Sequence, residues 1–403
     1  MIAAGFGVSS DRGRLLLGGF DVPQLVARAG RSPCFVYLRA AVTDQVRRLR
    51  QALPVGARLY YSPKANPMPA LLQHLAPLVD GFDVASHGEL RRALDAGMDP
   101  GRCLFTGPGK TLEEIHAAVA SGVVVNIESA TQLEQVVATA RTAGVRAAVA
   151  LRLNASFVPP RAHMRDPAGN QFGVDAAEAP ALLARMNVPE LAFKGFHVFW
   201  GSQQQDARAA VALQRQAYEL ALSVAEHAPG PVDFVNVGGG FAMPFFADDE
   251  PFDLETAGAA IRTWAPDATT ARPGALTFEF GRYLVGGAGY YVCRVLDRKV
   301  IGGETFLVVD GGLHQHLLAS GAFGQGRRRS FRIWPARLAE TAPSQTVNVV
   351  GRLCSSLDRI ASGVRLPSTA PGDYLVLPNS GAYGPTFSAR DFLGHPAAVE
   401  MLV

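Results

Sequence analysis

From residue 57 onward, short runs of β-branched and aromatic residues alternate with longer amphipathic segments. The runs RLYYS (58–62), GFDVA (81–85), CLFTG (103–107), VVVNI (123–127), AAVALRL (147–153), FKGFHVFW (193–200), DFVNVG (233–238) and LTFEF (276–280) have strand character. Between them, residues 86–96, 111–121, 129–143, 178–187 and 204–228 have the spacing of amphipathic helices. Ser86 heads the first of these with Glu89 three residues on, the spacing of a capping box. Strands alternating with helices predict parallel βαβ units. Eight strands fit a closed (β/α)₈ barrel, and a doubly wound open sheet shares the spacing.

Polar residues separate these two. Lys64, Ser86, His87, Thr106, Gly107, Asn126, Asn154, His197, Gly238–Gly240, Glu279 and Arg282 stand near the C-terminal ends of successive strands. A barrel brings all those ends to one face, where its active site is built. An open sheet gathers only those at its switch point. The expected fold is therefore an α/β TIM barrel. After residue 282 the beat changes. YYVCRVLDRKV, ETFLVVD, QTVNVVGRLC and GDYLVLPNSGAYG read as strands with no long helices between them. Residues 1–33 hold no full βα unit. The expected division is a barrel over 34–275 and an all-β domain made of 1–33 and 276–403.

Composition narrows the class. With 48% hydrophobic and 18% charged residues, the chain is a packed, soluble, enzyme-sized protein. A net charge of +3 gives no footprint for nucleic acid, and Arg327–Arg329 is a short basic patch, a solvated face or a site for an acidic partner. Cys34, Cys103, Cys293 and Cys354 are widely spaced, which predicts a reducing compartment and no metal site. No run approaches the roughly 18 apolar residues of a membrane span, so the expected location is the cytoplasm.

The candidate chemistry begins at Lys64 in YYSPKAN. A lysine amine is a useful nucleophile only when desolvation or a neighbouring charge frees its lone pair. The alternative is an exposed strand-end lysine. NVGGGF (236–241) offers backbone N–H groups to a phosphate, or is simply a flexible turn. His197 is either a core histidine or a flat ring for stacking. Glu279 and Arg282 are either a structural ion pair or the partners of a protonated ring nitrogen and an anion. Amine, flat stacker, phosphate loop and carboxylate together describe a site for pyridoxal phosphate.

YSPKAN (61–66), FDVASHGEL (82–90), HVFWGSQ (197–203), GGGF (238–241), EFGR (279–282), CSSLD (354–358) and GAYG (381–384) resemble, in this order, the fold-type III pyridoxal-phosphate decarboxylases. That family holds the diaminopimelate and ornithine decarboxylases. The resemblance implies an alanine-racemase-like barrel, a β-domain that includes the first residues, and a homodimer with shared active sites. It implies Lys64 as the cofactor's covalent tether, His197 stacked on its ring and Glu279 paired with its ring nitrogen. Asp83, Ser202, Gly238, Gly239, Gly240, Arg282 and Tyr383 complete the cofactor set. Cys354 of the partner subunit would return a proton to the substrate, and Asp358, Arg282 and His314 would meet the substrate.

The chain departs from that pattern at the distal end of the substrate. Ser355 stands where diaminopimelate decarboxylases carry glutamate, and DGGLHQHLLASGAFGQGRRRSF (310–331) replaces their Arg-Pro segment. Phe280 replaces the proline of the usual EPGR. The 310–331 segment resembles enzymes of secondary metabolism that decarboxylate an aminoacyl group, such as glutamyl, on an acyl-carrier protein. The expected activity is thus decarboxylation of an amino acid or carrier-tethered aminoacyl group. The alternatives are a diaminopimelate or ornithine/lysine-type decarboxylase of a free amino acid, a racemase on the same barrel, and a non-catalytic relative.

Overall fold

A computed structural model describes residues 7–155, 170–246, 249–265, 274–320, 329–338 and 343–403. The chain divides into two compact units. One comprises Val46–Ala242 and Phe252–Gly281 and contains a closed, all-parallel barrel. Its strands are β1 (Arg58–Tyr61), β2 (Gly81–Val84), β3 (Cys103–Phe105), β4 (Val124–Ile127), β5 (Ala147–Asn154), β6 (Leu191–Phe199), β7 (Phe234–Asn236) and β8 (Ala275–Phe280). Each pairs with the next, and β8 closes on β1 with Glu279 opposite Tyr60.

Side chains alternate in direction along a strand, so residues two apart share a face. Tyr60, Leu104, Val124, Ala150 and Phe234 pack into one buried apolar cluster contributed by five strands. Gly81 makes room for it, because a Cβ there would collide with the Tyr60 ring and the Arg102 carbonyl. Two residues further along stand Ser62, Thr106, Asn126, Arg152 and Asn236, all buried and all polar. Asp83, His197 and Glu279 follow Gly81, Gly195 and Thr277 by the same step. The barrel thus has an apolar floor and a polar mouth.

Five of the surrounding helices, those starting at His87, Leu112, Ala130, Ala207 and Leu254, begin on side-chain caps, whereas Pro69–Leu75 and Ala179–Arg185 do not. The helix His87–Asp95 makes half of the expected capping box: Ser86 Oγ accepts the Glu89 N–H, but the Glu89 carboxylate turns back to the Ala85 N–H. Complete boxes are at Leu112–Ser121, between Thr111 and Glu114, and at Val22–Ala29, between Asp21 and Gln24. Helices Val22–Ala29, Arg39–Ala52, Pro69–Leu75 and Leu254–Trp264 are elements that the sequence pattern did not predict. No helix among the described residues is long and apolar enough to cross a membrane.

The other unit comprises Met1–Gln45, Met243–Pro251 and Arg282–Val403. Its spine is the long strand Gly289–Ile301, which pairs with Cys34–Tyr37, Glu304–Val309 and Tyr374–Leu377. Val8–Asp11, Arg14–Leu17 and Phe20–Asp21 form a separate three-stranded sheet. Leu15, Leu17, Leu25, Val36, Val292 and Trp334 share one core, joining the first residues of the chain to the late strands. Two domain boundaries differ from those expected. Cys34–Tyr37 pairs within the β-unit, and β8 at 275–280 belongs to the barrel. Both are short apolar runs, and such a run does not state which sheet it joins.

Candidate active site

The chain leaves β1 through Ser62 and makes a single 3₁₀ turn at Pro63–Ala65, which places Lys64 at the barrel mouth. Its Nζ lies 3.6 Å from Glu279 Oε1 and 5.7 Å from the centre of the Phe199 ring. The Lys64 side chain is 43% exposed and that of Glu279 only 2%, so the amine is reachable while its counter-charge is not.

Several strands hold Glu279. Ser62 Oγ donates to its Oε1 at 2.6 Å and Asn236 Nδ2 to its Oε2 at 3.3 Å. Burial pushes its carboxyl up, but the Lys64 charge, His197 and the Ser62 hydrogen bond outweigh burial and hold it below the usual carboxylate range. Asp83 goes the other way: burial and the adjacent Glu279 charge push it well above that range. His197 Nε2 lies 3.5 Å from Glu279 Oε2 and makes no hydrogen bond among the described residues. Burial lowers its pKa to about 4 despite Glu279, so the imidazole is neutral near pH 7. An uncharged flat ring beside an ionised carboxylate and a reachable amine suits a cationic aromatic cofactor.

The glycine triplet supplies the close approach. Gly238 and Gly240 have φ of +67° and +77°, the left-handed region that favours glycine. A Cβ on Gly239 would strike the Glu279 carbonyl and the Phe280 ring, and one on Gly240 would strike Trp200. Asn236 joins loop to carboxylate, because its Oδ1 accepts the Gly238 N–H at 2.9 Å while its amide serves Glu279. Ser202 lies partly buried between Gly201 and Gln203.

Behind this layer is a buried network absent from the sequence-based expectation. Glu128 accepts from Arg152 Nη1 at 3.0 Å, from the Gly107 N–H at 2.6 Å and from the Gly173 N–H at 3.1 Å. Lys110 Nζ lies 3.7 Å from Glu128 and donates to the Gly107 and Asn126 carbonyls. Arg152 and Asn236 carry the period-two signal of the barrel interior. Lys110 sits in a glycine-rich loop and carries none.

The remaining predicted residues lie in the β-unit. Arg282 is buried, with its guanidinium 4.3 Å from the Tyr383 ring centre and 5.1 Å from that of Phe245. Cys354 is exposed, whereas Cys34, Cys103 and Cys293 are buried. Asp358 is buried and accepts the Leu313 N–H at 2.7 Å and the Leu353 N–H at 2.9 Å. It staples the 311–316 turn to the Cys354 turn, so its carboxylate is engaged with backbone and not presented to solvent. His314 is fully buried, 5.3 Å from His395 ring to ring, and neither of its nitrogens makes a hydrogen bond among the described residues. Of the basic run, Arg329 pairs with Asp249 at 2.8 Å, and Arg327 and Arg328 lie outside the described residues.

The pyridoxal-binding domain of the pyridoxal-dependent decarboxylases matches residues 39–286. The L-glutamyl-[BtrI acyl-carrier protein] decarboxylase of Niallia circulans is 32% identical over 92% of this chain and 88% of its own. The diaminopimelate decarboxylase of Zymomonas mobilis is 30% identical over 98% of this chain and 93% of its own. A mutant diaminopimelate decarboxylase from Helicobacter pylori, solved with L-lysine, superposes with a TM-score of 0.82 at 25% identity, covering 94% of each chain. The chain belongs to the fold-type III pyridoxal-phosphate-dependent decarboxylases. It is a carboxy-lyase whose cofactor is pyridoxal phosphate.

Proposed function

We propose that this enzyme decarboxylates an amino acid whose far end is tethered to an acyl-carrier protein, as in a glutamyl-carrier, within a biosynthetic pathway of the cytoplasm. The carrying observation is the composition of the described part of the segment that stands in place of the distal Arg-Pro reader; residues 321–328, with Arg327 and Arg328, lie outside the described residues. Residues 311–320 contain no lysine or arginine, and their 3₁₀ segment Leu317–Ser320 buries Leu318 and Ala319. Ser355 adds no charge where a glutamate would bind a distal amine. A site without these groups does not reward the free, charged end of diaminopimelate. The likeness to the glutamyl-carrier decarboxylase supports the same reading. The similar likeness to diaminopimelate decarboxylase keeps a free diamino acid as the second reading.

When bound, pyridoxal phosphate supplies an aldehyde for amine capture and a ring that takes up the electron pair left by carbon dioxide. Lys64 is the amine that would tether it, and the Gly238–Gly240 backbone would hold its phosphate, with Ser202, Arg282 and Tyr383 assigned to the same role by motif. Neutral His197 offers a stacking face without adding charge. Ionised Glu279 holds a proton on the ring nitrogen. Cys354, exposed on its turn, returns a proton to the substrate carbon across a homodimer interface. Asp358 sets that turn through backbone contacts. The test is carbon dioxide release from free diaminopimelate, lysine, ornithine and arginine beside carrier-bound glutamyl. Turnover of the carrier-bound substrate alone is expected, and efficient turnover of free diaminopimelate overturns the assignment.

A further inference from the structure

Asn126 on β4 and His197 on β6 are 0% and 1% exposed, so the protein, and not bulk water, decides where the ring's proton sits. Asn126 Nδ2 lies 3.3 Å from His197 Nδ1 and 2.6 Å from Thr106 Oγ1. Thr106 has one hydroxyl hydrogen and gives it to Asp83 Oδ1, so towards Asn126 it can only accept. The amide nitrogen therefore faces Thr106, and its second hydrogen is the one that meets His197 Nδ1. A nitrogen that accepts carries no proton, which puts the single proton of the neutral ring on Nε2. The other end of the ring agrees. Nε2 lies 3.5 Å from Glu279 Oε2, and Glu279 is held as an anion by the Ser62 and Asn236 donors and by Lys64 at 3.6 Å. The reverse tautomer would set N–H against N–H at Asn126 and a bare lone pair against the carboxylate.

We propose that Asn126 is a positioning residue that holds His197 as the Nε2–H tautomer and aims that N–H at Glu279. At 3.5 Å the contact is too long for a full hydrogen bond, but it turns the positive end of the ring dipole towards the carboxylate. The relay from Thr106 through Asn126 and His197 to Glu279 ties the ends of β3, β4, β6 and β8 into one polar layer. Asn126 acts through His197, and its consequence for the cofactor rests on the reading of His197 as the stacking partner. The position of the proton does not depend on that reading.

The test is nitrogen-15 NMR of the cofactor-free enzyme labelled at its nine histidines, in which protonated and bare ring nitrogens resonate apart. The His197 signals are those lost in His197→Gln. The wild type is expected to show a protonated Nε2 and a bare Nδ1 near pH 7. A proton on Nδ1, or an even mixture of the two tautomers, overturns the proposal. Asn126→Asp replaces the donor with an acceptor and is expected to bring a proton to Nδ1. There the new carboxylate joins Glu279 and Glu128 in favouring the charged ring, against burial, Arg152 and Lys64. A His197 spectrum unchanged in Asn126→Asp overturns the proposal equally, and the wild-type spectrum decides alone where that variant does not fold. Cofactor affinity is an independent readout. Asn126→Ala removes a neutral hydrogen bond and should weaken pyridoxal phosphate binding about 2- to 10-fold. Unchanged affinity contradicts the positioning role. Failure of the wild type to bind pyridoxal phosphate would be a failure of the cofactor site, with the tautomer still read from the cofactor-free spectrum.

Discussion

Glu279 concentrates the electrostatics of the barrel mouth in one buried carboxylate. Glu279→Gln keeps the shape and removes the charge that faces Lys64 and that is proposed to face the cofactor's ring nitrogen. Loss of a charge-assisted hydrogen bond should weaken cofactor binding about 10- to 100-fold, read by fluorescence titration. Three buried histidines give a second prediction. His197 and His314 fall from 6.5 to about 4 and His316 to about 3, in each case first through burial. The unfolded chain therefore binds protons that the folded chain refuses. Stability is held above about pH 6.5 and lost as pH falls towards about 4. Thermal melts across that window should show the decline. His316→Gln, which can keep the contact with Ser380 Oγ, should flatten it. Residue types alone conveyed part of this site. The placement of His197 and Glu279 on apolar strands, and of Lys64 just past the end of one, was legible because a polar residue there is conspicuous. Lys110 was not, because TGPGK reads as an exposed loop and only packing shows the amine buried against Glu128. The structural part of Asp358 was not legible either: a motif assigns its carboxylate to a substrate, and only the folded chain shows it also holding two turns.

Element by element, the barrel was readable because alternation of side chains and alternation of strands with helices agree. Its connections were less so. Arg39–Ala52 was not predicted as a helix, and Cys34–Tyr37 fell inside the expected barrel bounds of 34–275 without being read as a strand, whereas it pairs with Gly289–Ile301. Two substitutions test how elements hold the mouth. Thr111→Ala removes one half of the capping box on Leu112–Ser121 and should cost about 1 kcal/mol, seen as a lower urea midpoint with an unchanged slope. Gly239→Ala drives a methyl group into β8 and should cost about 1–3 kcal/mol and weaken cofactor binding as well. The capping variant should leave binding intact. That contrast separates a general loss of stability from damage to the loop.

For the whole molecule, the proposed homodimer makes Cys354 and Lys64 halves of one site drawn from two subunits. Lys64→Ala and Cys354→Ala proteins should each be inactive alone. Mixing them under conditions that allow subunit exchange should restore part of the activity, and no recovery would place both residues in one subunit's site. Everything proposed for the site depends on Lys64 as the amine that holds the cofactor. The chain has four lysines, Lys64, Lys110, Lys194 and Lys299. Of the other three, Lys110 is buried, and burial lowers its pKa to about 8. Borohydride reduction of the cofactor-loaded enzyme, followed by peptide mass spectrometry, fixes the cofactor to whichever amine holds it. A single adduct is predicted on the peptide carrying Lys64, and none in Lys64→Ala. An adduct on Lys110, or one that survives Lys64→Ala, would contradict that role.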